Sequence, residues 1–117
     1  MYKVLVFAGT TEGYEICRFL ADHKIETKGF VATEYGSKSL AESEFLTVQT
    51  GRLDAAAMEE TFLQEKPEMV LDATHPYAAE VTVNIRTACE NTQTAYYRVL
   101  REAGEHEDRA VYVDSVQ

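Results

Sequence analysis

Short apolar runs alternate along the chain with segments whose apolar residues recur every three or four positions. Lys3 to Phe7 is almost continuously apolar, the pattern of a strand buried on both faces. Glu12 to His23 pairs Gly13 with Cys17 and Ile16 with Leu20 at i,i+4 spacing and predicts a helix. A second strand is predicted at Thr27 to Val31, a short helix at Gly36 to Glu42, and a third strand at Phe45 to Thr50. Asp54 is a good N-cap for a helix running to about Glu65, with Met58 and Phe62 one turn apart and Pro67 closing the segment. Met69 to Leu71 is the fourth strand. Pro76 suits the first position of the next helix, where its missing N–H costs nothing. That helix carries Ala78, Val81, Ile85 and Ala88 on one stripe. Ala95 to Val99 predicts a fifth strand, Glu102 to Arg109 a charged surface loop, and Val111 to Val113 a short sixth strand.

Strictly alternating strands and helices imply an α/β fold with a parallel sheet covered on both faces. Right-handed crossovers favour a Rossmann-like, doubly wound sheet of five to six strands in the order 3-2-1-4-5. The 117 residues suit a single domain, residues 1–117.

Composition narrows the partners. Twenty acidic residues against eleven basic ones give a formal charge of −9, and this field repels nucleic acid. No apolar run is long enough to span a bilayer, and no basic segment precedes the first strand as in a signal peptide. The expectation is a cytoplasmic protein with no membrane contact. Cys17 and Cys89 fall on apolar helix faces, form no CxxC pair and lack metal-ligand spacing; they read as buried reduced thiols.

The first and fourth strands are neighbours in this order, and a dinucleotide lies in the crevice at their carboxyl ends. Gly9, Thr10, Thr11, Glu12 and Gly13 follow the first strand, with glycines for a close ligand approach, hydroxyl donors and a helix N-terminus for a phosphate. A side chain at Gly13 is expected to clash with the pyrophosphate. The spacing is not the full G-x-G-x-x-G fingerprint, since Ala8 and Thr10 stand at the other two glycine positions. The second strand leads into Thr33, Glu34, Ser37 and Lys38, where the adenosine ribose is read. Glu34 favours NAD; Thr33, Ser37, Lys38 and Ser39 favour the 2′-phosphate of NADPH, towards which the balance leans, with NADH the alternative. Gly51 permits a turn after the third strand, and Arg52 beside it can reach a phosphate or form a surface ion pair.

Asp72 to Tyr77 is the most distinctive stretch. Asp72 ends the fourth strand and is expected to bond backbone groups across the crevice. Thr74 or His75 is predicted to cap the helix begun by Pro76, which puts His75 at a positive dipole end that disfavours its protonated form.

Taken together, Gly9 to Gly13, Val31 to Gly36, Gly51 to Asp54 and Asp72 to Ala78 resemble the precorrin-6A (precorrin-6x) reductase family of cobalamin biosynthesis, the run Asp72-Ala73-Thr74-His75-Pro76 most of all. The resemblance implies an oxidoreductase that passes a hydride from a reduced nicotinamide to one double bond of the tetrapyrrole-derived macrocycle, giving precorrin-6B or its cobalt equivalent. Carried over, Gly9 to Gly13 hold the pyrophosphate, Thr33 to Lys38 the adenosine end, and Gly51 and Arg52 line the groove. Thr74, His75, Pro76 and Tyr77 face the reacting ring, with His75 or Tyr77 as candidate proton relays. Arg98 and Arg101, just beyond the fifth strand, are candidates to pair with substrate carboxylates or to serve as plain surface charge. The family usually has glycine where Ala8 stands, and its members carry a second α/β half that closes over the substrate. The chain corresponds to the N-terminal half. The expectation is a truncated half of that enzyme, a half completed by a separate polypeptide, or a nucleotide-binding module without turnover.

Overall fold

A computed structural model of the protein describes residues 2–101 and 111–116, with side chains at all of these except 35, 37, 39, 101 and 111–116. The elements run β1 (Val4–Ala8), α1 (Thr11–Asp22), β2 (Thr27–Val31), α2 (Glu34–Ser39), β3 (Leu46–Thr50), α3 (Ala55–Glu65), β4 (Met69–Ala73), α4 (Ala79–Thr92), β5 (Tyr96–Arg101) and β6 (Val111–Val116). They form one sheet in the order β3-β2-β1-β4-β5-β6. The first five strands are mutually parallel, as the alternating pattern requires, and β6 turns back antiparallel on β5. The sixth strand is twice the length expected from Val111 to Val113. The loop expected at Glu102 to Arg109 lies outside the described residues.

Alternation along β1 divides the core. Leu5 and Phe7 face one layer, with Phe30, Val70, Met58, Phe62, Ile85 and Cys89. Val4, Val6 and Ala8 face the other, with Val31, Cys17, Leu40 and Leu46. Helices α3 and α4 therefore cover one face and α1 and α2 the other, which is the doubly wound arrangement. Every residue of β1 is buried, as a strand covered on both faces must be.

Local chemistry sets the helix ends. Thr10 is extended (φ −141°, ψ 165°) and its side chain accepts from the Gly13 N–H, capping α1. Asp54 does the same for α3, accepting from Ala57 N at 2.8 Å. Lys66 ends α3 in the left-handed region at φ 47°, just before Pro67. Helix α2 starts two residues earlier than its apolar pattern suggests, because Thr33 Oγ1 accepts the Gly36 N–H at 3.3 Å and draws the first turn back. At the β3 edge, the Val48 N–H donates to Glu42 Oε2 at 2.8 Å.

Candidate functional site at the strand carboxyl ends

The turns after β1 and β4 lie side by side. Phe7 pairs with Asp72 and Ala8 with Ala73 across the two strands. A Cβ on Gly9 would sit 3.6 Å from Thr74 Cα and 3.8 Å from His75 N, so the two loops already touch there. Thr10 Oγ1 ties them, donating to Ala73 O at 2.8 Å. Its oxygen also caps α1, so the hydroxyl is committed to the fold and is not the phosphate donor expected. Gly13 is corrected likewise. A Cβ there would meet Ala8 Cα at 2.9 Å, Ala8 Cβ at 3.0 Å and Ala73 Cβ at 3.1 Å. The absent side chain lets α1 pack on β1 and β4; the expected clash with a pyrophosphate is a clash with the protein's own sheet.

The β4 loop differs more from expectation. Helix α4 begins at Ala79, and its N-cap, Ala78, has no side-chain cap. Pro76 and Tyr77 lie in a turn before it, closed by Ala78 N donating to His75 O at 2.8 Å. The cause is local: the Thr74 hydroxyl is already bonded to Asp72 Oδ1 at 2.7 Å and so does not cap a helix opened by Pro76. His75 therefore lies ahead of the α4 N-cap and not at a helix N-terminus as expected. Its ring is set locally: Nδ1 accepts the Tyr77 N–H at 3.1 Å, which places the proton of the neutral imidazole on Nε2. The Tyr77 ring, 91% exposed, lies 4.9 Å from the His75 ring.

Asp72 turns away from the crevice. Its side chain is 0% exposed and lies under α4. Oδ1 accepts from Thr74 N at 3.1 Å, Thr74 Oγ1 at 2.7 Å and Arg98 Nη1 at 3.1 Å, while Oδ2 accepts from Tyr96 OH at 2.7 Å. Arg98 Nη1 also donates to the carbonyls of Asp72 at 3.0 Å and Thr74 at 2.9 Å. Arg98 sits inside β5 and is 11% exposed, so that nitrogen is an internal strut and not the substrate partner expected beyond the strand. Arg101 is also within β5; its side chain, like that of Ser37, lies outside the described set. Burial, and then the hydrogen bond to Asp72, push the Tyr96 phenol up from its ordinary range. Burial likewise pushes the Cys89 thiol up to about 12, with Asp72 and Glu90 adding to it. Tyr96 and the inward role of Arg98 were missed in the sequence. The available signal was their i,i+2 spacing, which puts both on one face of a strand next to Asp72.

A cleft of about 210 Å³ opens where four strand ends converge. Gly9 comes from the first loop, Ala32 from the second, Gly51 and Arg52 from the third, and Thr74 and His75 from the fourth. Phe7 and Phe30, stacked at 4.7 Å, form an apolar floor. Gly51 has φ +118° with nothing within 4 Å of a Cβ position, so the backbone is bare there. Arg52 is exposed and Lys38 is exposed in the last turn of α2. Thr33 caps α2 through its hydroxyl, and neither it nor Lys38 lines the cleft. The cleft is smaller than the roughly 300–1,000 Å³ that drug-sized ligands occupy, so a ligand of that size would extend beyond it along the exposed loops. A larger cavity of about 410 Å³ lies at the amino end of β5, lined by Arg86, Cys89, Glu90, Gln93 and Tyr96 among others. It shares no residue with the crevice.

The strand order, both helix layers and the crevice between the β1 and β4 loops define a Rossmann-like α/β domain. Its family is equally definite. The model of the family described as "Precorrin-6x reductase CbiJ/CobK" matches residues 3–117, and the chain belongs to that family. It is 34% identical over 100 residues to a cobalt-precorrin-6A reductase of Methanothermobacter thermautotrophicus, spanning 85% of this chain and 33% of the relative. It is 35% identical over 98 residues to a cobalt-precorrin-6A reductase of Salmonella typhimurium, spanning 84% and 37%. A solved structure of CobK precorrin-6A reductase superposes with a TM-score of 0.75 at 29% identity, over 92% of this chain and 42% of that one. The chain thus spans about a third of the length of the curated relatives it matches, less than the half that the resemblance implies.

Proposed function

We propose that this domain binds a reduced nicotinamide dinucleotide, NADPH ahead of NADH, in the crevice, and that it serves the reduction of precorrin-6A or its cobalt counterpart to the 6B form. The observation that carries this reading is the convergence of Gly9, Gly51, Arg52, Thr74 and His75 on one cleft at the strand carboxyl ends, the place where doubly wound sheets take such ligands. The residues fit the group. Gly9 is exposed and its Cβ position is open to within ordinary contact of Thr74, so a phosphate can approach the backbone. Helix α1 adds a positive dipole end, and Arg52 a cation at the rim. The bare backbone at Gly51 admits a flat group over it. When bound, the cofactor supplies the hydride. The chain's own residues orient it: Thr74 and His75 form the wall, Phe7 and Phe30 the floor, and their burial keeps water from beneath it. His75, which lines the cleft, is the first candidate to move a proton there; Tyr77, exposed beside the His75 ring and outside the cleft lining, is the second. The setting is the cytoplasm, where such cofactors are kept reduced; among the described residues no helix is long and apolar enough to cross a membrane.

The chain has no tryptophan, so NADPH emission reports binding cleanly. A saturable titration with NADPH is expected, and Gly9→Ala, whose added Cβ makes only ordinary contacts of 3.6 Å to Thr74 Cα and 3.8 Å to His75 N, is expected to keep the fold and weaken binding by about tenfold. Lys38→Ala is expected to weaken NADPH and spare NADH. Failure of both nucleotides to bind at about 1 mM would refute the reading. A second reading is a nucleotide-binding module that needs a separate polypeptide for turnover, favoured by the share of the relatives that the chain spans. Turnover of precorrin-6A by the isolated chain would remove it.

A further inference from the structure

Resting on that reading of the crevice, we infer that Arg98 is a positioning residue for cofactor binding: from β5 it fixes the β4 loop that forms the crevice wall, without itself touching the ligand. The loop from Asp72 to His75 has no secondary structure of its own to hold it beyond Ala73. One guanidinium nitrogen supplies the missing constraint. Arg98 Nη1 lies within 3.0 Å of the Asp72 carbonyl, 2.9 Å of the Thr74 carbonyl, 3.1 Å of Asp72 Oδ1 and 3.3 Å of Thr74 Oγ1. It therefore spans the last turn of chain before His75. Thr74 Oγ1 adds a contact of 3.3 Å to Thr82 Oγ1 on α4, so the loop is held from the strand side and the helix side together. The Thr74 backbone is also what a Cβ on Gly9 would touch, at 3.6 Å. The separation of the two crevice walls is thus set by a side chain two strands away from β1.

A buried ion pair is a poor stability device, since desolvation offsets its attraction. Here the burial fixes a geometry instead. Both carboxylate oxygens of Asp72 are bonded without help from the crevice, and among the described residues no buried side-chain nitrogen or oxygen lacks a partner. Tyr96 provides an internal control. Its hydroxyl bonds the same carboxylate through Oδ2 and, unlike Arg98, not the carbonyls of Asp72 and Thr74.

The test compares Arg98→Met with Tyr96→Phe in the full chain, using amide hydrogen exchange, NADPH titration and urea unfolding. In Arg98→Met the hydrogen-bonded amides of Thr74 and Ala78 are expected to exchange about tenfold faster, with β1 and β2 amides unchanged. Its NADPH dissociation constant is expected to rise about tenfold, the scale of one charge-assisted hydrogen bond. Tyr96→Phe is expected to lower stability while leaving loop exchange and NADPH affinity within about twofold. Where Arg98→Met does not fold, Arg98→Lys replaces it: the cation remains, but the shorter reach cannot hold both carbonyls, and the same loop signature is expected. A folded Arg98 variant with parental loop exchange or parental affinity overturns the assignment. So does a Tyr96→Phe variant that loosens the loop equally, which would mark a global effect. Failure of the parent chain to bind NADPH is a different result: it removes the crevice reading first, and this assignment with it.

Discussion

Replacing Gly13 by alanine isolates what that glycine does. The added Cβ would stand 2.9 Å from Ala8 Cα, 3.0 Å from Ala8 Cβ and 3.1 Å from Ala73 Cβ. Carbon atoms rest at about 3.5–4.0 Å, so α1 must lift from the sheet by about half an ångström, against backbone that cannot swing aside. Overpacking of this kind costs about 1–3 kcal/mol. Alanine recovers about 0.4–1 kcal/mol by restricting the unfolded chain. The midpoints of the two ranges leave a net loss of about 1.3 kcal/mol, or a fall in Tm of about 5 °C for a domain of this size. Urea unfolding followed by circular dichroism measures it, with NADPH titration in parallel. Gly13→Ala as stable as the parent would refute the packing argument. Full stability with lost NADPH binding would return Gly13 to the ligand site.

Two further outcomes follow from burial and backbone. Cys17 and Cys89 are both raised by burial from 9.0 to about 12, and Tyr96 is raised from 10.0. Each group holds its proton longer in the folded state, so its contribution is complete below pH 9 and is lost as pH climbs towards 12. Stability is expected to fall by about 1.4 kcal/mol per pH unit for each thiol in that window, and urea midpoints measured from about pH 8 to about pH 11 would contradict this by staying level. Gly51→Ala is expected to cost about 1–3 kcal/mol from backbone strain alone, since φ is +118° and no atom lies within 4 Å; an unchanged urea midpoint would show that the turn simply relaxes.

Much of this architecture is legible in local pattern. The β2 bounds, the Asp54 cap and the 3-2-1-4-5 order follow from periodicity, one capping side chain and crossover handedness, and the structure repeats them. The adjacency of the Gly9 and Thr74 loops follows from that order alone. What was not legible is which polar atoms the fold consumes. Thr10 and Thr74 look like ligand donors in sequence, yet their O–H groups go to Ala73 O and Asp72 Oδ1, while Thr33 Oγ1 accepts a capping N–H from Gly36. Arg98 looks like surface charge because nothing local shows that its neighbour across the sheet is a buried carboxylate. The start of α4 was misplaced because Pro76 suits both a helix start and a turn, and the choice was made by Thr74 bonding backwards to Asp72.

The carboxylate of Glu42 on the β3 amide has a meaning beyond the domain. Strand β3 ends one side of the sheet, and a bare row of backbone donors there would accept a strand from another molecule. Glu42 occupies the Val48 donor in the middle of that row and brings a negative charge to the place an incoming chain would have to lie. A domain carrying a net charge of −9 thus uses one of its acidic residues as a stopper, keeping a sheet built for stacking strands from adding one more.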